Sequence, residues 1–427
     1  IEIVAAEATV LNASKTPPFD VNQDTPVDEL LRMRYRYLDL RREHMRDNLR
    51  LRYRIVKFIR DYLDDLNFIE VETPILIKST PEGARDYLVP SRNHPGSFYA
   101  LPQSPQQLKQ LLMVAGTDRY FQIARCFRDE DLRADRQPEF TQLDVEMAFV
   151  ESSDIISLMT DLYIKMAQTL APQKELILPV PTLTYAESMS RFGSDKPELL
   201  TDIVGNSEFQ VFANVIRDGG MVKGFNAPGH ADITRRQIDD LVNVARTYGA
   251  GGLVTIGIDS SAPSINALTI DHIRTPAKSL SIDEIKAIAG KVGAVPGDLI
   301  LVAAGPQPKV EPVLGQLRVH MADRLGLNDP NKLAFCVVTD FPALEWLEDA
   351  QRWHAMHHPF TALRDDQWDL LKTNPGAVIA KAYDLAANGS ELAGGSIRIH
   401  QRAQQEQVFA ALGYSQVEVD ELFGHLL

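Results

Sequence analysis

A densely charged loop joining two strand-like segments is the feature that most restricts the fold of this chain. From residue 140 onward, alternate residues fall into two sets, which is the period-two pattern of a β-strand. One set is mainly apolar: Thr141, Leu143, Val145, Met147 and Phe149. The other set carries a ring, an amide and two carboxylates: Phe140, Gln142, Asp144 and Glu146. We expect the apolar set to face a core. The polar set then forms the floor of a site for a flat, charged ligand, unless it belongs to an ordinary solvated hairpin.

Five sequence blocks carry a resemblance to a known family. The first is Phe127-Arg128-Asp129-Glu130, and the other four are residues 80–87 (TPEGARDY), 103–106 (QSPQ), 355–360 (AMHHPF) and 394–400 (GGSIRIH). The first block resembles the second motif of class II aminoacyl-tRNA synthetases, and the sequences of all five are similar to those of bacterial-type aspartyl-tRNA synthetases. A single FRxE match would be weak, but the five blocks follow the family's order and together span most of the chain.

The resemblance implies an α+β fold, with a class II antiparallel sheet flanked by helices and interrupted by an inserted α+β domain. We expect residues 1–25 to be the remnant of an N-terminal OB-fold anticodon-binding domain and its linker. The first part of the catalytic domain, with motifs 1 and 2, then covers residues 26–193. The insertion covers 194–327, and the second catalytic part covers 328–427. Nothing matches the family's third motif, so we expect a longer natural gene product and very poor aspartate activation by these 427 residues alone.

The implied activity is that of an ATP-dependent, AMP-forming aspartate–tRNA ligase. It would convert L-aspartate to aspartyl-adenylate and transfer it to the 3′ end of tRNA(Asp), and tRNA(Asn) remains an additional substrate to consider. One alternative is a synthetase-like paralogue that supplies adenylate to another acceptor, although the strand-like residues 1–11 argue against it. A second alternative is a truncated RNA-binding or dimerising module without aminoacylation.

For ATP, the resemblance assigns Arg128, Asp129, Glu130, Gln137, Phe140 and Glu391. Arg128 is the candidate catalytic residue, because a guanidinium binds planar oxyanions through two parallel hydrogen bonds and stays charged. Asp384 and Glu391 flank Asn388-Gly389, a strong hairpin-turn dipeptide, and paired carboxylates suit Mg²⁺. Without the family likeness, these two acids would be read as a polar hairpin tip.

For aspartate, the resemblance assigns Glu82, Gln106, Lys109, Arg128, Gln142, Asp144, His357 and Arg398. Arg398 and Lys109 would bind the side-chain carboxylate, with His357 nearby, whereas Glu82, Gln106 and Asp144 would hold the ammonium group. We expect residues 82–86 to form a mobile loop. The histidines at 354, 357 and 358 invite a metal interpretation, but no carboxylate or thiol accompanies them.

Two patterns lie in residues 31–74. An apolar stripe from residue 45 to residue 66 indicates a long helix, and with a strand at 68–73 and Pro74 it resembles the dimer-forming first motif; a helix packed on its own core is the alternative. Residues 31–60 carry eleven Lys/Arg and three Asp/Glu. That excess suits tRNA phosphates or a solvated face equally. A further helix is expected from Ser104 as N-cap and Pro105 as first residue, with Gln106 and Lys109 on an exposed face.

Composition restricts the setting of the protein. The net charge of −14 argues against general nucleic-acid binding, and the hydrophobic content of 44% supports substantial cores. No apolar run reaches membrane-spanning length. Cys126 and Cys336 are far apart and are expected to be buried thiols of a cytoplasmic protein.

Overall fold

A computed structural model of the chain describes residues 4–23, 25–79, 84–131, 137–192, 198–199, 210–326 and 329–424. These residues form two compact units. The first comprises the described residues within 1–150 and 157–173, and the second comprises those within 151–156 and 174–424. Within the described ranges, no helix is both long and apolar enough to cross a bilayer.

The first unit is built around a β-hairpin and a long helix. Its helices are α1 (Glu29–Arg34), α2 (Arg36–Asp39), α3 (Glu43–Asp64), α4 (Gln106–Val114) and most of α5 (Ser152–Leu170). Its strands are β1 (Ile69–Glu70), β2 (Leu88–Pro90), β3 (Phe98–Ala100), β4 (Arg119–Phe127) and β5 (Glu139–Met147). Strand β4 pairs antiparallel with β5 and parallel with β1, while β2 and β3 form a separate antiparallel ribbon.

The core of this unit lies under one face of the β4–β5 hairpin. Ile59, Leu63, Phe68, Phe121 and Leu162 are buried together, and Leu143, Val145 and Met147 pack against them. The predicted apolar face is therefore confirmed for those three residues of β5. It is wrong for Thr141, which is exposed, and for Phe149, which is 97% exposed. Phe149 lies beyond the last residue of the strand at a φ of 59°, so strand alternation no longer governs it.

Helix α3 confirms the predicted long helix, but its apolar stripe is buried at one end and exposed at the other. Ile59 and Leu63 are buried, whereas Leu49 is 52% and Tyr53 67% exposed. The strand expected over residues 68–73 is paired only at Ile69–Glu70. The rest of that segment runs on to Pro74, which cannot donate to a ladder.

Helix α4 begins one residue later than expected. Pro105 precedes the first helical residue, and no side chain caps this end. The face that carries Gln106 and Lys109 was predicted to be exposed and is buried, at 3% and 6% exposure. The polar types of these residues suggested solvent, but α4 packs against the polar face of β4 and β5.

Part of the basic stripe is used within the fold. Asp39 is completely buried, and Arg32 donates to it at 3.0 Å. Arg36 also forms an ion pair with Asp39, and Arg42 lies 3.6 Å from it. Arg42 in addition donates to the carbonyl of Thr25 at 2.7 Å. The Asp39 cluster thus ties α1, α2 and the start of α3 together, because a buried carboxylate needs cationic partners.

The second unit contains a five-stranded sheet of order β11-β10-β12-β9-β8, in which every pairing is antiparallel. Its strands are β8 (Glu198–Leu199), β9 (Met221–Ala227), β10 (Val254–Ile258), β11 (Ile273–Arg274) and β12 (Leu299–Gly305). The helices beside it are α7 (Gln210–Arg217), α8 (Arg235–Thr247), α9 (Ile282–Lys291) and α10 (Gln307–Arg324), preceded in the chain by α6 (Tyr185–Phe192). One core contains Phe212 and Ile285, and the other contains Leu241 and Val313. Helices therefore cover both faces of the sheet.

The remainder of the second unit forms a mixed sheet of order β17-β16-β13-β6, with β7 also on β13. Its strands are β6 (Glu175–Ile177), β7 (Thr182–Thr184), β13 (Lys332–Thr339), β16 (Ala382–Ala387) and β17 (Ser390–Ser396). A hairpin of β14 (Leu344–Leu347) and β15 (Arg352–Ala355) and the helices α11 (Leu370–Thr373), α12 (Arg402–Ala411) and α13 (Gln416–Phe423) complete it. The mixed helix–sheet class is confirmed, with antiparallel pairs at its centre. Beside these antiparallel pairs, β1 pairs parallel with β4, and β6 and β7 pair parallel with β13.

Candidate active site

The polar face of the β4–β5 hairpin gathers most of the predicted residues of the first unit. In the observed register Cys126 pairs with Phe140, Ala124 with Gln142, Gln122 with Asp144 and Tyr120 with Glu146. Paired residues share a face, so the even-numbered side chains of both strands stand on the side opposite the core. The predicted strand–loop–strand arrangement is confirmed by this pairing.

A buried ionic cluster occupies one end of that face. Lys109 Nζ donates to Asp144 Oδ1 at 2.7 Å and lies 3.2 Å from Glu146 Oε2. The side-chain exposures of Lys109, Asp144 and Glu146 are 7%, 10% and 12%. One cation between two carboxylates leaves a net charge of −1 in a region with little water, where an added cation is strongly attracted. The sequence predicted Glu146 on the polar face but assigned it to no ligand; its contact with Lys109 follows from helix packing.

Directly across the hairpin from this cluster lies a hydrogen-bond network that sequence reasoning missed. Gln122 Oε1 accepts from the hydroxyl of Tyr120 at 2.8 Å and from the hydroxyl of Thr73 at 2.9 Å. Tyr120 has no exposed surface. Burial, followed by the charge of the nearby Asp144 carboxylate, raises the pKa of Tyr120 well above its ordinary value, so its hydroxyl stays protonated. Apart from alternation along β4, no signal in the sequence indicated these contacts.

The opposite end of the hairpin carries the predicted ATP residues. The guanidinium carbon of Arg128 lies 5.1 Å from the centre of the Phe140 ring, a cation–π distance, and the Arg128 amide donates to the Pro138 carbonyl at 2.9 Å. Asp129, Glu130 and Gln137, which are near them in sequence, are exposed. The structure thus brings Arg128 and Phe140 together.

Gln142 and Gln103 fix neighbouring parts of the same unit. The thiol of Cys126 donates to Gln142 Oε1 at 3.2 Å, which restrains a predicted pocket residue. Gln103 is 2% exposed, accepts from the Ala84 amide at 3.0 Å and donates to the Ala84 carbonyl at 2.8 Å. It also donates to Asp86. The predicted mobile loop is therefore anchored at residues 84–86, whereas Glu82 lies outside the described residues.

Arg398 belongs to the second unit and sits past the end of β17. Its Nη1 donates to Ser396 Oγ at 2.8 Å, and Ser396 Oγ lies 3.2 Å from Thr361 Oγ1. An isolated antiparallel bridge joins Thr361 to Arg398. Ser396 and Arg398 therefore lie on the same side of the chain, and Arg398 is half-buried and outside a regular strand.

The hairpin of β16 and β17 holds the predicted metal ligands. Asn388 and Gly389 have φ values of 48° and 80°, which is the geometry of a two-residue type I′ turn. Glu391 pairs with Ala386, and Asp384 lies two residues from Ala386 along β16. Glu391 and Asp384 therefore share a face of the hairpin. A β-carbon on Gly394 would stand 2.7 Å from Asp384 Oδ1 and 3.2 Å from Glu391 Oε1, so both carboxylates lie over this glycine.

His357 lies beside this carboxylate pair. Its Nε2 is 3.9 Å from Asp384 Oδ1, and its ring meets the Phe341 ring edge-on with centroids 4.7 Å apart. Among the described residues, no group of three or more His, Cys, Asp or Glu side chains could hold a metal ion. The protein thus offers two carboxylates here, and a divalent cation would need its other ligands from a phosphate or water. That ligand set fits Mg²⁺, which keeps waters and binds one or two carboxylates together with substrate phosphates.

Comparison with known proteins places the chain in a family. Residues 28–427 match the family described as tRNA synthetases class II (D, K and N). The chain is 51% identical over its whole length to an aspartate–tRNA(Asp/Asn) ligase of Dehalococcoides mccartyi strain CBDB1, of which it covers 73%. It is 51% identical to the enzyme of the same name from Rubrobacter xylanophilus, covering 71%, and 48% identical to an aspartate–tRNA ligase of Ruminiclostridium cellulolyticum, covering 72%. With this extent of match, the chain belongs to the class II tRNA synthetases of the aspartate, lysine and asparagine group.

Proposed function

We propose that this protein is an aspartate–tRNA ligase. It activates L-aspartate with ATP to aspartyl-adenylate and pyrophosphate, and it then transfers the aspartyl group to the 3′ end of tRNA(Asp). The observation that carries the proposal is the buried Lys109–Asp144–Glu146 cluster on the polar face of the hairpin. Relatives at about half identity that are named for this reaction support it.

The charges of the cluster suit aspartate, which brings one ammonium and two carboxylate groups. The surplus negative charge of Asp144 and Glu146 attracts the ammonium group, and the nearby Gln106 and Gln142 supply neutral polar contacts. Lys109 then turns toward the side-chain carboxylate. Arg398 is proposed as a further carboxylate-binding cation, with His357 beside the carboxylate. Asparagine would leave the cations without an anion, which a buried site penalises strongly.

Activation requires charge stabilisation at the α-phosphate while a carboxylate oxygen of aspartate attacks phosphorus and pyrophosphate leaves. Arg128 is proposed for this role because its fork can bridge the phosphate and the attacking carboxylate. Phe140 offers a stacking face to adenine, and Asp129, Glu130 and Gln137 surround it. Asp384 and Glu391 would hold Mg²⁺, whose positive charge would offset the negative charge of the triphosphate.

The partners and domains follow the same proposal. The names of the relatives suggest tRNA(Asn) as a second acceptor. The exposed apolar residues Leu49 and Tyr53 on α3 suit a homodimer contact in the 45–74 segment. We further propose that residues 194–327 are an inserted domain between catalytic parts at 26–193 and 328–427, and that residues 1–25 belong to an anticodon-binding domain and its linker. We also propose that the enzyme is cytoplasmic.

The test is ATP–pyrophosphate exchange by the full-length gene product with aspartate, asparagine and lysine supplied separately. Exchange with aspartate alone is expected, and Arg398→Leu should abolish it because the pocket loses a cation. Lys381→Leu is a matched control, since Lys381 pairs with Asp365, which is 85% exposed. Exchange with lysine or asparagine instead, or with none of the three, would contradict the proposal.

A further inference from the structure

The oxygen of Gln122 is the meeting point of three hydrogen-bond donors. Besides the hydroxyls of Tyr120 and Thr73, the backbone amide of Thr73 donates to it at 3.3 Å. A backbone N–H can only donate, so these contacts fix which end of the Gln122 amide is the oxygen. Gln122 is 9% exposed, and an acceptor with three partners in such a place is held rigidly.

This contact replaces a backbone ladder that stops short. Strand β1 pairs with β4 at Ile69 and Glu70, and the Val71 amide still donates to the Phe121 carbonyl at 3.1 Å. Beyond that point the chain reaches Thr73 and then Pro74, which has no amide hydrogen. Beyond Val71, the side chain of Gln122 therefore supplies the hydrogen bonds that join β4 to this segment.

The same side chain stands directly across from the ionic cluster. Gln122 pairs with Asp144, and Tyr120 pairs with Glu146, on one face of the hairpin. Directly opposed side chains on an antiparallel pair have β-carbons about 5 Å apart, so the orientation of one restricts the other. Anything that fixes Gln122 and Tyr120 thus limits where the two carboxylates can point.

We propose that Thr73 and Tyr120 are positioning residues for aspartate selection. Thr73 acts through Gln122, and Tyr120 acts through Gln122 and through its own closeness to Asp144, so that Asp144 and Glu146 are held in register with the substrate ammonium group. This rests on the proposed function. Neither residue needs to touch substrate. The network fixes the aspartate end of the hairpin and leaves the ATP end alone, because Asp144 and Phe140 are four residues apart, about 13 Å along a strand.

The experiment compares Thr73→Val with Thr73→Ser, and adds Tyr120→Phe. Valine has the shape of threonine without the hydroxyl, and serine retains the hydroxyl. In ATP–pyrophosphate exchange, Thr73→Val and Tyr120→Phe should each raise KM for aspartate roughly three- to tenfold, the effect of one buried hydrogen bond. KM for ATP should stay within about twofold of wild type, and Thr73→Ser should resemble wild type.

The inference also requires that Thr73 act through the side chain of Gln122. In a Gln122→Met background, Thr73→Val should change KM for aspartate by less than about twofold, because the shared acceptor is already gone. A purely structural role would instead lower thermal stability in all variants and leave the ratio of the two KM values unchanged, which would overturn the proposal. Absence of aspartate-dependent exchange in the wild-type protein would refute the proposed function itself. That outcome is distinct from failure of the present inference, in which the wild-type protein is active and only the variants behave differently from expectation.

Discussion

Replacing Gly394 by alanine should disturb the proposed Mg²⁺ site while hardly affecting the fold. The new β-carbon would stand 2.7 Å from Asp384 Oδ1. The carboxylate must retreat by roughly 0.8 Å to regain an ordinary contact distance. Because Oδ1 is the end of a flexible side chain, the change should cost less than about 1 kcal/mol of stability. Mg²⁺, however, requires near-ideal octahedral geometry.

A displacement of that size at a catalytic ligand lowers rates by up to about 100-fold. We therefore expect kcat/KM for ATP in the exchange reaction to fall about 10- to 100-fold, which is about 1.4–2.7 kcal/mol of transition-state stabilisation. Raising the Mg²⁺ concentration should recover part of the loss. The measurement is a series of exchange rates at fixed aspartate with ATP and Mg²⁺ varied independently.

Gly395→Ala is the matched control. Its β-carbon would stand 2.8 Å from Cε2 of Tyr383, whose buried ring has little room to move. That variant should lose about 1–3 kcal/mol of unfolding free energy through overpacking and keep the wild-type Mg²⁺ dependence. If the two variants shared the same Mg²⁺ dependence, or if Gly394→Ala lost stability with unchanged ATP kinetics, the assignment of the carboxylate pair would be refuted.

Three further predictions concern charge and association. Lys109→Met should lower the unfolding free energy by about 3–5 kcal/mol in urea titrations, because it leaves two buried carboxylates without their cation. Lys57→Met, which breaks an exposed ion pair, should lower it by less than about 1 kcal/mol, and equal losses would contradict this reasoning. The hydrogen bond from Arg32 holds the pKa of Asp39 below its ordinary value of 3.8. Asp39→Asn should therefore be less stable than wild type at neutral pH, and this difference should narrow as the pH falls below the ordinary carboxyl pKa of 3.8 and then through the lower pKa of folded Asp39. A difference that grows as the pH is lowered would contradict this reasoning. Tyr53→Asp should shift the sedimentation coefficient from that of the proposed dimer toward that of a monomer, whereas Tyr37→Asp, which changes an equally exposed ring, should not. If both variants remained dimers, the proposal that α3 forms the dimer contact would be wrong.

Alternation and turn chemistry predicted the parts of the site that are local in sequence. The polar face of β5 and the two-residue turn at Asn388-Gly389 depend on strand periodicity and on the positive φ that Asn and Gly tolerate. Both are found in the structure. The pairing of Asp384 and Glu391 on one face follows from that turn. These features could be predicted because each depends on neighbours within a few residues.

Contacts between distant segments could not be predicted in this way. Polar residue types suggested that Lys109 lies on an exposed helix face, yet the packing of α4 places it against two carboxylates that are 35 or more residues away. The same limit hid the bonds of Thr73 to Gln122, because alternation states which face a side chain occupies but not which distant segment meets it. Burial of a polar residue is decided by its partners, and partners are a property of the tertiary fold.

The thiol of Cys126 provides a built-in reporter of motion in this hairpin. It has no exposed surface and donates to Gln142, so a thiol reagent can reach it only when the strands part locally, whereas the partly accessible Cys336 should be modified first. The slow phase of labelling therefore measures how often the polar face of β4 and β5 opens. Slowing of that phase by added aspartate would convert ligand binding into a rate that can be followed without any catalytic turnover.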